Sequence, residues 1–199
     1  MIKAIILDMG GVVLTSQLGT VLEEIAKKLS IDPKEFGHFY YRYKQELQSG
    51  KLKVSDFAKL VQKEFKPTKE IIPIWTDAYL RTMTLNLPLL NLIENLRNKY
   101  KIGCITNTTD LHAQLNKERK AFRYFDEVII SCDVGLVKPN KEIFELMLKK
   151  LNVKAKDCIF VDDHENHVQA AEKLGMNGIV FRNTSEFIQK LKVLGINLK

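Results

Sequence analysis

Short apolar runs along the chain predict β-strands. The first run covers residues 3–8 and ends at an acidic residue followed by a Gly-Gly pair, which is typical of a buried parallel strand. Four further runs lie after Pro88, at 101–106, 127–131, 157–162 and 178–181, and they alternate with helical patterns at 89–99, 110–121, 140–151, 165–174 and 184–194. This alternation favours right-handed crossovers and a parallel sheet that helices cover on both faces.

Residues from about 16 to 87 instead have a purely helical pattern. Apolar residues repeat with helical spacing from Leu18 to Leu29, and Asp32-Pro33 is a typical helix start. Ser55 and Pro73 each begin a further amphipathic stretch, so four helices are predicted between the first and second strands. We therefore predict a Rossmann-like, three-layer α/β core over 1–15 and 88–199, with a small helical bundle inserted as a second domain over 16–87.

The composition is that of a globular protein. Hydrophobic residues make up 45% of the 199 residues, and the net charge of +7 is spread evenly, so we expect no nucleic-acid partner. The longest apolar runs hold about four residues, well short of the ~18 to 20 that cross a bilayer, so we expect no membrane partner. Three cysteines without metal-ligand spacing favour a cytoplasmic location. The oligomeric state stays open.

Polar side chains follow the predicted strands at their carboxyl ends, where open parallel sheets bind ligands. These residues are Asp8, Thr106, Asn107, Lys138, Asp162 and Asp163. Three carboxylates that meet at one edge need a compensating cation, and oxygen ligands of this kind suit Mg²⁺. Alternatively, one member of the Asp162-Asp163 pair caps the helix that follows.

The charges of these groups suggest phosphoryl transfer. A carboxylate exposed by a glycine-rich turn, as Asp8 is, can attack phosphorus and form an aspartyl-phosphate. Mg²⁺ and Lys138 would neutralise the charge on the phosphoryl oxygens. The hydroxyl of Thr106 and the backbone N–H groups after Asp8 would hold these oxygens in place. We count Gly11 and Asn107 among the substrate-binding residues.

Four segments of the chain resemble a known family. IILDMGGVV, CITN, SCDVGLVKPNKEIF and FVDDHENHVQAAEKLGM resemble, in order, the four motifs of the haloacid dehalogenase superfamily. The resemblance is to its phosphatase-like branch, which has a helical cap inserted after the first motif. It implies that Asp8 is the nucleophile on a central strand, Thr106 the phosphate-binding hydroxyl and Lys138 the charge-stabilising lysine. It also implies that Asp162 and Asp163 bind the metal.

The sequence departs from that family pattern at two positions. The resembled phosphatases usually carry an acid–base Asp two residues after the nucleophile, and Gly10 stands there in this chain. Gly10 can still offer its backbone carbonyl to the metal, but it cannot protonate a leaving group. His167 stands where the family often has Asn. We predict a Mg²⁺-dependent hydrolase of a small phosphate monoester, and the loss of the acid favours a leaving group that needs little protonation, such as that of a sugar 1-phosphate.

Three other functions remain open at this point. A phosphate-binding or interaction protein without efficient turnover would be compatible with Gly10, although the complete set of acids argues against it. A 2-haloacid dehalogenase also lacks the second Asp, but that branch does not use Mg²⁺ or the paired acids. A phosphomutase would use phospho-Asp8, but it needs an acid–base group that Gly10 does not supply.

The four histidines and the aromatic residues of the predicted bundle complete the set of candidate residues. We expect His38 and His112 on the surface, and His164 and His167 near the site, where they can also be ordinary helix-face residues. Aromatic residues between 36 and 43 are expected to pack the helical bundle, and one or two of them are candidates for contact with the substrate.

Overall fold

The computed structural model describes residues 1–198, in which five strands form one fully parallel sheet. The strands are β1 (Ala4–Leu7), β2 (Lys101–Thr106), β3 (Glu127–Ile130), β4 (Cys158–Asp162) and β5 (Asn177–Val180). Their order in the sheet is β3-β2-β1-β4-β5, so the first strand is central. Each strand lies within a residue of its predicted bounds, and the predicted parallel sheet is confirmed. Lys199, the last residue of the predicted core, lies outside the described residues.

Helices cover both faces of this sheet. They are α5 (Leu87–Leu96), α6 (Asp110–Glu118), α7 (Ser131–Val134), α8 (Lys141–Leu151), α9 (Glu165–Lys173) and α10 (Thr184–Val193). Side chains alternate along β1, so Ile5 and Leu7 join the apolar cluster that contains α5 and α10. Ala4 and Ile6 join the opposite cluster, with α8 and α9. The three-layer arrangement is therefore confirmed.

Four helices lie between β1 and α5. They are α1 (Leu18–Leu29), α2 (Pro33–Gln48), α3 (Val54–Phe65) and α4 (Ile71–Thr82). Asp32 caps α2 by accepting hydrogen bonds from the backbone N–H groups of Lys34 and Glu35. The fourth helix begins at Ile71 and not at Pro73, because a proline in the first turn removes no intrahelical hydrogen bond. No helix within residues 1–198 combines the length and the apolar character needed to cross a membrane.

The inserted helices join the sheet through two adjacent chain segments. Leu14 and Leu85 form an isolated antiparallel bridge. Next to it, the backbone N–H of Thr15 donates to the carbonyl of Thr84 at 2.9 Å, and the two threonine hydroxyls are 2.7 Å apart. The segments that leave and re-enter the α/β core are thus hydrogen-bonded to each other. The exact division into domains at 15/16 and 87/88 stays a prediction.

Candidate active site

The central strand and its two neighbours bring the predicted site residues to one edge of the sheet. Asp8 directly follows β1, while Thr106 and Asp162 are the last residues of β2 and β4. The backbone N–H of Asp8 donates to the carbonyl of Val161 at 2.8 Å, which extends the β1–β4 ladder to the site. Since paired strands lie about 4.8 Å apart, their terminal side chains meet in a small volume.

Lys138 lies buried between two of these carboxylates. Its Nζ donates to Asp8 Oδ1 at 2.6 Å, to Asp162 Oδ2 at 2.7 Å and to the carbonyl of Ile105 at 2.9 Å. Burial by itself would lower the pKa of Lys138, but the two carboxylates outweigh it and raise that pKa above its ordinary value. The lysine is therefore a fixed positive charge that faces Asp8.

Both carboxylate oxygens of Asp162 are already engaged. Oδ1 accepts from the backbone N–H of His164 at 2.9 Å, and Oδ2 contacts Lys138 and, at 3.0 Å, the Nδ1 of His167. Burial would raise the pKa of Asp162, but Lys138 and His167 hold it below its usual range. Asp162 is thus an ionised carboxylate that holds Lys138 and the start of the next helical segment.

Asp163 differs, because one of its oxygens has no partner. Gln17 Nε2 donates to Oδ2 at 3.0 Å, whereas Oδ1 is buried and unpaired among the described residues. Asp8, Asp162 and Asp163 each offer an oxygen, and the three oxygens lie within 4.8 Å of one another. Burial raises the pKa of Asp163, and the charge of Asp162 adds to that rise. An unpaired buried oxygen among clustered carboxylates is what a hard cation would satisfy.

The same crowding affects the proposed nucleophile. Burial raises the pKa of Asp8 to about 7, and the negative charges of Asp162 and Asp163 contribute to that rise, while Lys138 opposes it. A bound cation beside Asp8 would favour its ionised form.

The turn after Asp8 contains two glycines that differ in how much room a side chain would have. Gly11 has a positive φ of 72°, and a Cβ built on it would lie 2.4 Å from Asp163 Oδ2, so only glycine allows this close approach. At Gly10, by contrast, the nearest atom to such a Cβ is the Met83 methyl carbon, Cε, at 3.9 Å. A Cβ therefore has room where the resembled phosphatases carry their acid.

Asn107 uses its side chain to hold the Lys138 backbone. Its Nδ2 donates to the carbonyl of Lys138, and its Oδ1 accepts from the N–H of Lys138, both at 2.9 Å. These two bonds position the lysine, and a contact of Asn107 with substrate stays a prediction. Thr106 is buried beside Asn107 at the wall of the cavity described next.

A cavity of about 440 Å³ opens above Asp8, between the sheet edge and the inserted helices. Asp8, Gly10, Thr106, Asn107, Lys138 and Asp163 line its lower end. Residues of α2, α4 and α6 form the opposite wall, among them Tyr40, Tyr79 and His112.

The prediction that His112 lies on the surface is wrong. Its side chain is buried, accepts a hydrogen bond at Nε2 from Trp75 Nε1 at 2.8 Å and stacks on Tyr79 with ring centres 3.9 Å apart. Burial, together with the nearby charge of Arg119, lowers the pKa of His112 to about 3. His38 is exposed as expected. Only the packing of α4 against α6 reveals the role of His112, and no local sequence signal marks it.

Comparisons with known proteins agree with this geometry. Residues 2–175 match the family model described as haloacid dehalogenase-like hydrolase. The chain is 27% identical over 207 residues to a D-ribitol-5-phosphate phosphatase of Bacteroides thetaiotaomicron, with 98% of each chain covered. It is 26% identical over 214 residues to the rat bifunctional epoxide hydrolase 2, which covers 94% of this chain but only 38% of that protein.

Solved structures share the fold. A predicted haloacid dehalogenase-like hydrolase of Porphyromonas gingivalis has a TM-score of 0.81 at 22% identity, with 99% of both chains covered. A haloacid dehalogenase family enzyme of Bacteroides thetaiotaomicron, in complex with magnesium and inorganic phosphate, has a TM-score of 0.78 at 18% identity and covers 94% of this chain and 99% of its own.

Proposed function

Because this chain belongs to the haloacid dehalogenase-like hydrolases, we propose that it is a Mg²⁺-dependent phosphatase that acts on a small phosphate monoester through a covalent intermediate on Asp8. The observation that carries the proposal is the buried Asp8, paired with Lys138 at 2.6 Å, at the floor of an open cavity. The relatives support it, since one is a D-ribitol-5-phosphate phosphatase and a structural neighbour holds magnesium and inorganic phosphate.

The donor set fits Mg²⁺. The unpaired Oδ1 of Asp163 and an oxygen of Asp8 are available to a cation, and the backbone carbonyl of Gly10 is the third protein ligand that we propose. Asp162 has both oxygens engaged, so we assign it to holding Lys138 and assign the direct metal contact to Asp163. When bound, the cation would neutralise charge on the phosphoryl oxygens.

The first step transfers the phosphoryl group to the protein. Lys138 holds Oδ1 of Asp8, which leaves Oδ2 to attack phosphorus. The new oxygen–phosphorus bond forms as the bond from phosphorus to the leaving oxygen breaks, and that oxygen takes a proton from water. Lys138 and the hydroxyl of Thr106 stabilise the negative charge on the transferring group.

The second step hydrolyses the phospho-Asp8 intermediate. The hydroxide left by the first proton transfer, or a water molecule, attacks phosphorus, and the bond from phosphorus to Asp8 breaks. Inorganic phosphate is released, and the Asp8 carboxylate is regenerated. Gly10 has no side chain that could protonate the leaving group. We therefore propose a sugar 1-phosphate as substrate, because its anomeric oxygen departs with little protonation.

The test compares Asp8→Asn with Asp56→Asn, which removes an exposed carboxylate on α3 that does not line the cavity. We expect phosphate release from p-nitrophenyl phosphate and glucose 1-phosphate by the wild type and by Asp56→Asn, in Mg²⁺ only. Asp8→Asn should be inactive while its circular dichroism spectrum is unchanged.

Three results would contradict the proposal. Turnover by Asp8→Asn would exclude the covalent mechanism. Release of halide from a 2-haloacid in excess chelator would indicate a dehalogenase. Binding of inorganic phosphate without hydrolysis of any ester would indicate a phosphate-binding protein.

A further inference from the structure

The part of the cavity away from Asp8 has a wall built around Trp75. The rings of Tyr40 and His112 both pack against the buried Trp75, with ring centres 6.0 Å and 6.1 Å from it. Both residues line the cavity. They come from different parts of the chain, Tyr40 from α2 and His112 from α6, so the inserted helices and the α/β core each contribute one polar group to this wall.

Tyr40 carries a hydroxyl that nothing in residues 1–198 satisfies. The side chain is fully buried, and its Oη has no hydrogen-bond partner. A buried hydroxyl without a partner costs about 1–3 kcal/mol. Burial raises the pKa of Tyr40, so the group stays protonated and can both donate and accept. Tyr40 also borders the cavity, so an occupant that displaces the atoms covering this hydroxyl would supply the missing partner.

The contact of His112 with Trp75 fixes the tautomer of the His112 ring. The indole N–H of Trp75 can only donate, so the Nε2 of His112, which faces it at 2.8 Å, must be the acceptor. The neutral ring therefore carries its proton on Nδ1. Among the described residues, no protein group is hydrogen-bonded to that Nδ1, which leaves an N–H donor in a residue of the cavity wall.

The charges around the cavity limit what it can hold. Among the described residues that line it, the carboxylates are Asp8 and Asp163, both at the catalytic end. A cationic group at the far end would therefore lack a counter-charge. Lys44, the cation of the upper wall, lies 5.2 Å above the ring of Tyr41, a contact that stabilises its charge without an anion.

We propose that Tyr40 and His112 form the leaving-group subsite, and that they bind hydroxyl groups of an uncharged polyhydroxylated group, either a sugar or a sugar alcohol. The Tyr40 hydroxyl donates to one substrate oxygen or accepts from one substrate hydroxyl, and the Nδ1–H of His112 donates to another. This inference rests on the proposed phosphatase function and names the residues that select its substrate.

The experiment uses Tyr40→Phe and His112→Gln, with Tyr43→Phe as the matched control. Tyr43 lies on the same helix as Tyr40 but outside the cavity, with its ring 5.3 Å from that of Phe39. Gln at position 112 can still accept from Trp75 but lacks the Nδ1–H. Kinetics are measured with glucose 1-phosphate and ribitol 5-phosphate, and with p-nitrophenyl phosphate, whose leaving group offers no such hydroxyl groups.

We expect each of the two cavity variants to lower kcat/KM for at least one hydroxylated substrate by about 2- to 12-fold, chiefly through KM, which corresponds to one neutral hydrogen bond. The rate with p-nitrophenyl phosphate should change by less than about 2-fold, and the control should change neither. Equal losses on all three substrates, or no loss on the hydroxylated ones, would overturn the subsite. Thermal melts of ligand-free Tyr40→Phe should lie above those of the wild type, because the variant removes a buried hydroxyl that has no protein partner.

Failure of the phosphatase proposal can be separated from failure of the subsite. If the wild type hydrolyses no ester, the proposed function fails, and calorimetric titration with the two sugar phosphates in Mg²⁺ then decides the subsite. Weaker binding by Tyr40→Phe than by the wild type supports it. Equal affinities, or no binding by the wild type, overturn it.

Discussion

Acid should destabilise the folded protein in part through His112. The imidazole is buried, and its pKa falls from 6.5 to about 3 in the folded chain. The unfolded chain takes up a proton near pH 6.5, while the folded chain resists protonation until much lower pH. Since the unfolded state then binds more protons, the stability that His112 contributes is complete above pH 6.5 and is lost as the pH falls towards 3.

The size of the effect follows from those two pKa values. Each pH unit between them costs up to about 1.4 kcal/mol of unfolding free energy. Between pH 7.5 and pH 5.0 the linkage relation therefore predicts a loss of about 2 kcal/mol from this one residue. His112→Gln removes the titrating group, so the difference in unfolding free energy between wild type and variant should shrink by about that amount over this range.

Urea denaturation at pH 7.5 and pH 5.0 measures the difference directly. The control is His38→Gln, because His38 is an exposed imidazole on α2. An equal gap in unfolding free energy between wild type and His112→Gln at both pH values would contradict the prediction. A gap that widens in acid would contradict it too, because the folded state would then favour the protonated ring.

Two further predictions concern the turn after Asp8, the nucleophile that we propose. Gly11→Ala places a methyl group on a positive φ and within 2.4 Å of Asp163 Oδ2, so calorimetry should show weaker Mg²⁺ binding, and urea denaturation a loss of about 1–2 kcal/mol or more. Unchanged Mg²⁺ affinity would show that Asp163 is not a ligand. Gly10→Asp adds a Cβ that meets no atom closer than 3.9 Å, and it should supply a proton donor, so single-turnover rates should rise more for alkyl phosphates than for p-nitrophenyl phosphate. An equal rise for both classes would mean that leaving-group protonation does not limit the wild type.

The strands of the core were predictable because each is a short apolar run that ends at a polar residue. Such runs need no tertiary information, and all five lie within a residue of the expected bounds. The third run was expected to include Ser131, but Ser131 begins the four-residue helix α7. One turn of helix is too short for a hydrophobic period to develop, so the pattern of residues could not indicate it.

The meeting of the candidate site residues at one sheet edge was predictable for a topological reason, while the cavity wall was not. Residues that end parallel strands must meet at one edge, whatever packs around them. His112 instead lies on the face of α6 that contacts α4, and its partners Trp75 and Tyr79 are more than 30 residues away in the chain. From the sequence alone, a polar residue on such a face is predicted to be exposed to solvent. Its burial depends on a helix that packs there only in the folded state.

Because Thr15 and Thr84 are hydrogen-bonded neighbours, the polypeptide leaves and returns to the sheet at a single point. The segment inserted between these two residues can therefore vary in length at little cost, because loop-closure entropy grows only slowly with loop length. A different block of helices could be exchanged here while the strands that carry Asp8 and Thr106 keep their register. Tyr40 would be replaced with that block, so such a scaffold can acquire new substrates during evolution while the bond-breaking chemistry stays the same.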